Sequence, residues 1–250
     1  MRLLIALLLM CGLPLRAEEV VLGMSSDQVS INTNFDGSEI LIFGAIKRNE
    51  PIPDDPLHVI VTVAGPSEPV IVRRKERKFG IWVNTDAVEV DSAPSFYAIA
   101  TTTLLGLSLS ETEDQRHSIS IPRAIRSVGA PENIMDAPAF SEALIRIRSA
   151  NDQYQLNEGT VSLDQQTLFR TAVQLPAALT QGDYLTRIFL TRGGSVVSKH
   201  ETSIFVRKVG LERWLYNLSR QNAFAYGLMS LAIAIAAGWG AASIFTLFRR

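Results

Sequence analysis

Ala223–Phe248 reads AFAYGLMSLAIAIAAGWGAASIFTLF, 26 residues without one Asp, Glu, Lys or Arg. At ~1.5 Å per residue, a helix over this stretch reaches about 39 Å. That exceeds the ~30 Å hydrocarbon core, so the segment can cross a bilayer with some tilt. Only Arg249 and Arg250 follow it. The chain is therefore expected to be a body held to a membrane by its last helix, with Glu18 to about Lys208 left to form that body.

The other end reads as an export signal. Arg2 supplies the basic start, Leu3 to Leu13 the apolar run, and Leu15-Arg16-Ala17 a small residue before a cut at Glu18. A second membrane helix fits less well, because the run is short and is closed by Pro14 and Arg16. A lipoprotein cut before Cys11 would need a small residue where Met10 stands. Cys11 is the only cysteine, so a body freed of residues 1–17 can form no disulfide and relies on its core. Export places the body in the periplasm, one span in the inner membrane and the C-terminus in the cytoplasm. The basic residues disagree mildly, since Arg207, Lys208, Arg213 and Arg220 precede the span and only two arginines follow it. An N-terminal signal outranks that count, because it commits the following domain to translocation.

The body reads as mainly β. Val29 to Asn32 and Glu39 to Ile46 are apolar and β-branched around Asp36-Gly37, a hairpin signal. Ile40, Ile42 and Ile46 oppose Leu41 and Phe43, which predicts a central strand covered on both faces. Pro51, Pro53 and Pro56 make a loop, and Leu57 to Val63 the next strand. Val70 to Val72 and Phe79 to Val83 flank Arg73-Arg74-Lys75-Glu76-Arg77-Lys78, expected as a solvated hairpin tip, with Phe79 and Trp82 as core residues. The sharper reading of Arg73, Arg74, Lys75, Arg77 and Lys78 is a contact with lipid phosphates or another anion. Ala87 to Val90 and Ser95 to Thr101 read as strands, and Leu104 to Leu109 as a strand or a helical turn.

Ser110 with Glu113 forms a capping box for a short helix through Arg116, and Pro122 opens another turn. Gly129 to Pro138 is a linker. Phe140, Ala143, Leu144, Ile147 and Tyr154 recur at helical spacing, predicting an amphipathic helix over about Ala139 to Tyr154. Thr167 to Leu175, Asp183 to Thr191 and Val196 to Val206 are strands, with Gly193-Gly194 turning the last pair. The fold class expected is two Ig-like or fibronectin-like β-sandwich modules, 18–128 and 139–208, joined by residues 129–138 and the amphipathic helix. Residues 209–222 follow as a juxtamembrane helix. Its stripe of Leu211, Trp214, Leu215 and Leu218 suits the membrane interface. Within the span, Ser230, Ala234, Gly238 and Ala242 make a smooth face against which another helix, or a second copy, could pack.

Chemistry is sparse. His58, His117 and His200 are scattered, without HExxH or carboxylates at metal spacing. Gly106-Leu107-Ser108-Leu109-Ser110 lacks the last glycine of a nucleophile elbow. Asp54-Asp55 and Glu111, Glu113 and Asp114 lack the rhythm of a calcium loop. No catalytic, cofactor-binding or metal-ligating residue is assigned and no cofactor is expected, although a site assembled from distant loops would leave no such motif. With 24 Lys and Arg against 25 Asp and Glu, nothing points to nucleic acid.

Three segments carry a family likeness: Asn34-Phe35-Asp36-Gly37 with Ile42-Phe43-Gly44-Ala45; Ala93-Pro94-Ser95-Phe96-Tyr97; and Arg207-Lys208-Val209-Gly210 with Glu212-Arg213 and Tyr216. On these the chain resembles, over nearly its full length, a group of alphaproteobacterial proteins with a signal sequence, a periplasmic β-rich body and one C-terminal membrane helix. The resemblance brings no assigned site residues. It implies genes beside sulfite-exporter-type permeases. The leading expectation is a non-catalytic, membrane-anchored accessory or interaction module for an inner-membrane protein. A periplasmic enzyme or small-ligand receptor, and an envelope-organising protein, are the alternatives.

Overall fold

The fold is described from a computed structural model, which covers residues 18–26, 28–31, 37–48, 51–129, 134, 136–208 and 211–248; of 208, 211–213, 217 and 243–248 only the backbone is described. The signal-peptide reading, Cys11, most of the Asp36-Gly37 turn and much of the linker lie outside these residues.

Residues 18–206 supply two sheets and a hairpin. The strands are β1 (Glu18–Met24), β2 (Gln28–Ile31), β3 (Ser38–Arg48), β4 (Leu57–Ala64), β5 (Ser67–Lys78), β6 (Ile81–Pro94), β7 (Tyr97–Thr101), β8 (Tyr154–Asn157), β9 (Ser162–Asp164), β10 (Leu168–Leu175), β11 (Gly182–Arg192) and β12 (Ser195–Lys208). One sheet runs β1-β3-β10-β9 and the other β2-β12-β11-β4-β7-β8, while β5 and β6 form a two-stranded ribbon whose Ser92 is also bridged to Arg126. Between β7 and β8 lie α1 (Leu105–Ser108), α2 (Glu111–His117), α3 (Ile121–Ala124) and α4 (Ala137–Ala150). This crossover lets β8 run parallel to β7.

The body is mainly β, but it does not divide into the two expected sandwich modules. Strands from both halves share each sheet: β10 pairs with β3, and β11 with β4. Periodicity reports which residues alternate, not which strand they pair with, so it could not show this interleaving. For the same reason the expected hairpin across Asp36-Gly37 is corrected. β2 lies in the six-stranded sheet and β3 in the four-stranded one.

Coverage explains each strand's pattern. In β4, Val59, Val61 and Val63 line one face and Ile60 and Thr62 the other, and all are buried. The second face lies under the helices, where Ile60, Tyr97, Ile99, Leu109, Ile119, Tyr154 and Phe189 form one cluster. β3 departs from expectation. Ile40, Ile42 and Ile46 are buried, but Leu41 and Phe43 are exposed, so only one face is covered. Gly44 lies in β3 between Leu22 of β1 and Phe169 of β10. A Cβ there would stand 2.7 Å from the Phe169 ring and 2.8 Å from the Val21 carbonyl oxygen. Gly44→Ala is expected to destabilise the body by about 1–3 kcal/mol through overpacking. Gly106→Ala, which meets nothing within 4 Å, is the neutral control, and urea unfolding reads both.

The helices follow their local signals. The Ser110 hydroxyl accepts the Glu113 N–H at 3.4 Å, as a capping residue should. α2 continues one residue past Arg116, and Asp114 closes it by accepting from the Ile119 and Ser120 backbone N–H groups at 3.0 and 2.7 Å. Leu104 to Leu109 resolves as the turn α1. α4 ends at Ala150, four residues earlier than the apolar spacing implied. Phe140 and Leu144 are buried, Ile147 is exposed, and Tyr154 belongs to β8, where its hydroxyl donates to the Pro94 carbonyl at 2.9 Å.

The described residues from Arg207 onward fall, with Ser30 and Ile31, in a second compact unit. It contains α5 (Leu211–Gln221) and α6 (Ala223–Phe248). Backbone bonds from Asn222 N to Leu218 O (2.9 Å) and from Tyr226 N to Asn222 O (3.0 Å) carry helical pairing through the junction.

Candidate functional site: a membrane span and an exposed ribbon

α6 has no charged residue and presents Ala223–Ala242 as a span by length and composition, with none of that window buried in the chain. Ser230, Ala234, Gly238 and Ala242 are exposed, and a Cβ on Gly238 would meet nothing within 4 Å. In α5, Trp214 and Tyr216 are exposed, Leu215 and Leu218 half-buried, and the Arg220 guanidinium lies 5.8 Å from the Tyr216 ring centre. The Leu211 side chain lies outside the described residues.

The β5–β6 ribbon corrects the reading of the charge run. Arg73 to Lys78 is the second half of β5, not a loop, and the turn is Phe79-Gly80, with φ of +51° and +85°. Glycine tolerates that region; an aromatic residue seldom occupies it. The expected core residues Phe79 and Trp82 are surface residues: Phe79 is 107% exposed, Trp82 68% and Ile81 65%. The ribbon's packed part ends at Val72 and Val88, which join Val90, Ala93, Phe140 and Leu144 in a small core under α4. Arg74 closes that core, 4.7 Å from the Phe140 ring centre and paired with Asp86 (3.5 Å) and Asp136. Beyond it, both faces of the ribbon meet solvent.

A third feature is the outer face of the four-stranded sheet. Val21, Phe43, Leu168 and Arg170 border a groove of about 550 Å³ there, floored by the small residues Gly23 and Ala45.

The buried charges have structural partners. Glu18 Oε1 accepts from Arg48 Nε at 2.6 Å and from Arg192 Nη2 at 2.8 Å, tying β1 and β3 to β11. Burial alone would raise this carboxyl. Hydrogen bonds from Arg192 and Arg48, with their charges, instead hold it below its ordinary 4.5. Arg187 donates to the Tyr97 hydroxyl (3.0 Å) and to the carbonyls of His117 (2.7 Å) and Ser118 (3.0 Å), so it caps the end of α2. Burial keeps His117 below its ordinary 6.5, aided by Lys199, Arg116 and Arg187 and opposed by Glu113. His58 is lowered by burial. Both are held toward neutrality and away from one another on separate elements. Among the described residues no group of three or more His, Cys, Asp or Glu could hold a metal ion.

A family model described as "Putative transmembrane protein (Alph_Pro_TM)" matches residues 19–247. The chain belongs to this family. The match runs through the β body and α6 together. Among solved structures, the chain is matched to Spo0M, a sporulation control protein from Bacillus subtilis. That likeness is 11% identical, covers 82% of this chain and 56% of that one, and has a TM-score of 0.28. The chain thus spans little more than half of that protein. No curated protein matches the sequence.

For this Alph_Pro_TM chain, sequence reasoning located the span but missed the exposed aromatic tip and the open sheet face. The first had a signal in Lys78-Phe79-Gly80-Ile81, a two-residue turn between charged and apolar flanks. The second had none, because a strand apolar on both sides reads alike whether its second face meets protein or solvent.

Proposed function

We propose that this chain is a non-catalytic accessory module. It would be anchored in the inner membrane by α6, with its β body in the periplasm and its C-terminus in the cytoplasm. Its partner would be another inner-membrane protein, a sulfite-exporter-type permease being the candidate suggested by the family resemblance. The observation that carries this is the span itself: twenty apolar residues, Ala223–Ala242, none of them buried. Small residues four apart leave room for close helix approach, which favours a protein neighbour or a second copy over lipid alone.

A photo-crosslinking residue at Ala234 or Gly238, activated in native membranes, is expected to join the chain to a second membrane protein. The same group at Ile233, off that row, should do so less. Adducts to lipid alone at all three positions would overturn the reading. Protease added to spheroplasts tests the topology, since a body that survives intact is not outside.

A second reading, a small-ligand receptor, is favoured by the apolar groove at Phe43 and Leu168. The full chain, released gently from detergent in a native mass spectrometer, would then carry a bound apolar molecule that Phe43→Asp abolishes. An unliganded mass removes this reading.

A further inference from the structure

The distal half of the β5–β6 ribbon combines features that a solvent-facing hairpin has no use for. From Val72 to Lys78 it extends six residues past its last buried pair, about 20 Å at ~3.3 Å per residue. A two-stranded ribbon is only marginally stable in water, yet this one ends in Phe79, Ile81 and Trp82, all largely exposed.

The charges are sorted by face. Alternation along β5 puts Arg74, Glu76 and Lys78 on the side of the buried Val72, and Arg73, Lys75 and Arg77 on the other. On the first side, Arg74 pairs with Asp86 and Asp136, and Lys78 with Glu76 at 3.7 Å. On the second, no acidic side chain among the described residues pairs with Arg73, Lys75 or Arg77. Trp82 stands directly across from Arg77 in the register, on that same side. The result is a stripe of three cations, none with an ion-pair partner within 4 Å among the described residues, running to an aromatic and aliphatic tip.

We propose that this tip binds the surface of an anionic phospholipid bilayer. Phe79, Ile81 and Trp82 enter the boundary between headgroups and acyl chains, while Arg73, Lys75 and Arg77 meet lipid phosphates. Two observations select lipid over an acidic protein. The apolar group is convex and sits at the end of a projecting ribbon, where it can enter a soft layer but offers no groove to a folded partner. The chain also carries its own membrane span, so a bilayer is always near. Tryptophan beside basic residues is the pairing that membrane interfaces favour.

The test uses the full chain with Trp214→Phe and Trp239→Phe, leaving Trp82 as the sole tryptophan. It is reconstituted into vesicles of phosphatidylcholine alone or with phosphatidylglycerol, the acyl chains brominated. Trp82 emission is expected to shift blue and be quenched in the anionic vesicles, and to recover in high salt. Each of Arg73→Gln, Lys75→Gln and Arg77→Gln should lower the bound-to-free ratio about fivefold, from ~1 kcal/mol per cation at an anionic surface. Phe79→Ser should weaken quenching without moving the urea midpoint. Emission that stays water-like in both vesicle types overturns the proposal. So does a blue shift without quenching that grows with protein density, which would mean that a second copy covers the tip. Quenching indifferent to phosphatidylglycerol and to all three Gln substitutions overturns it as well.

Discussion

Phe189→Ala is expected to destabilise the body by about 3–5 kcal/mol, the cost of deleting a fully buried aromatic side chain. For a body of this size that corresponds to a melting point lower by roughly 6–20 °C. Phe189 lies on β11 opposite Ile60, and its ring faces the helices rather than the second sheet. His117 is 5.5 Å away between ring centres, and the Arg187 guanidinium 5.3 Å from the ring centre. Alanine would open a cavity where α2 and α3 rest on the sheet, and would remove the aromatic surface against which Arg187 is held. The same chemical change at Phe79, exposed and at positive φ, is expected to move stability by no more than about 0.5 kcal/mol. Thermal and urea unfolding of the two variants side by side checks both numbers.

Glu18→Leu is expected to cost a similar amount, about 3–5 kcal/mol, by a different route. Arg48 and Arg192 are nearly as buried as Glu18, with side chains 8% and 10% exposed. Removing the carboxylate leaves two cations facing each other away from water. Because the Glu18 carboxyl is held below its ordinary value, its contribution is complete above about pH 4.5 and is lost as pH falls through the lower, folded value. The difference between wild type and Glu18→Leu in urea unfolding should therefore be full at pH 7 and shrink in acid. A difference that is flat with pH would show that the carboxylate charge is not what holds the cluster. Glu18→Gln, which keeps a hydrogen-bond acceptor, should fall between the two.

These two residues also show where sequence is and is not transparent. Phe189 could be placed in a strand from the alternation of Asp183 to Thr191, and its burial follows. Its neighbours could not be named, since Tyr97 joins it across β4 and Tyr154 through a parallel pairing that depends on a crossover of about fifty residues. Glu18 gives no signal at all, because its partners are thirty and more residues away. The span was legible because a bilayer imposes a length and a composition on a single segment. Tyr184 is an intermediate case. The alternation of Asp183 to Thr191 makes its strand legible, but not the bond that its hydroxyl donates to the Thr180 carbonyl four residues upstream, at 2.9 Å.

The pairing of β3 with β10 bears on how the molecule is made. Ile42 lies opposite Thr171, so a strand near the start of the chain waits for one about 130 residues later. At the ~5–20 residues per second of synthesis, that is a delay of roughly 6–26 s. During it Ile40, Ile42 and Ile46 have only β1 beside them and an open row of amides on the other edge. A newborn chain in that condition is a natural client for a holding chaperone, and its yield in a foreign host should depend more on that helper than on the stability of the finished protein.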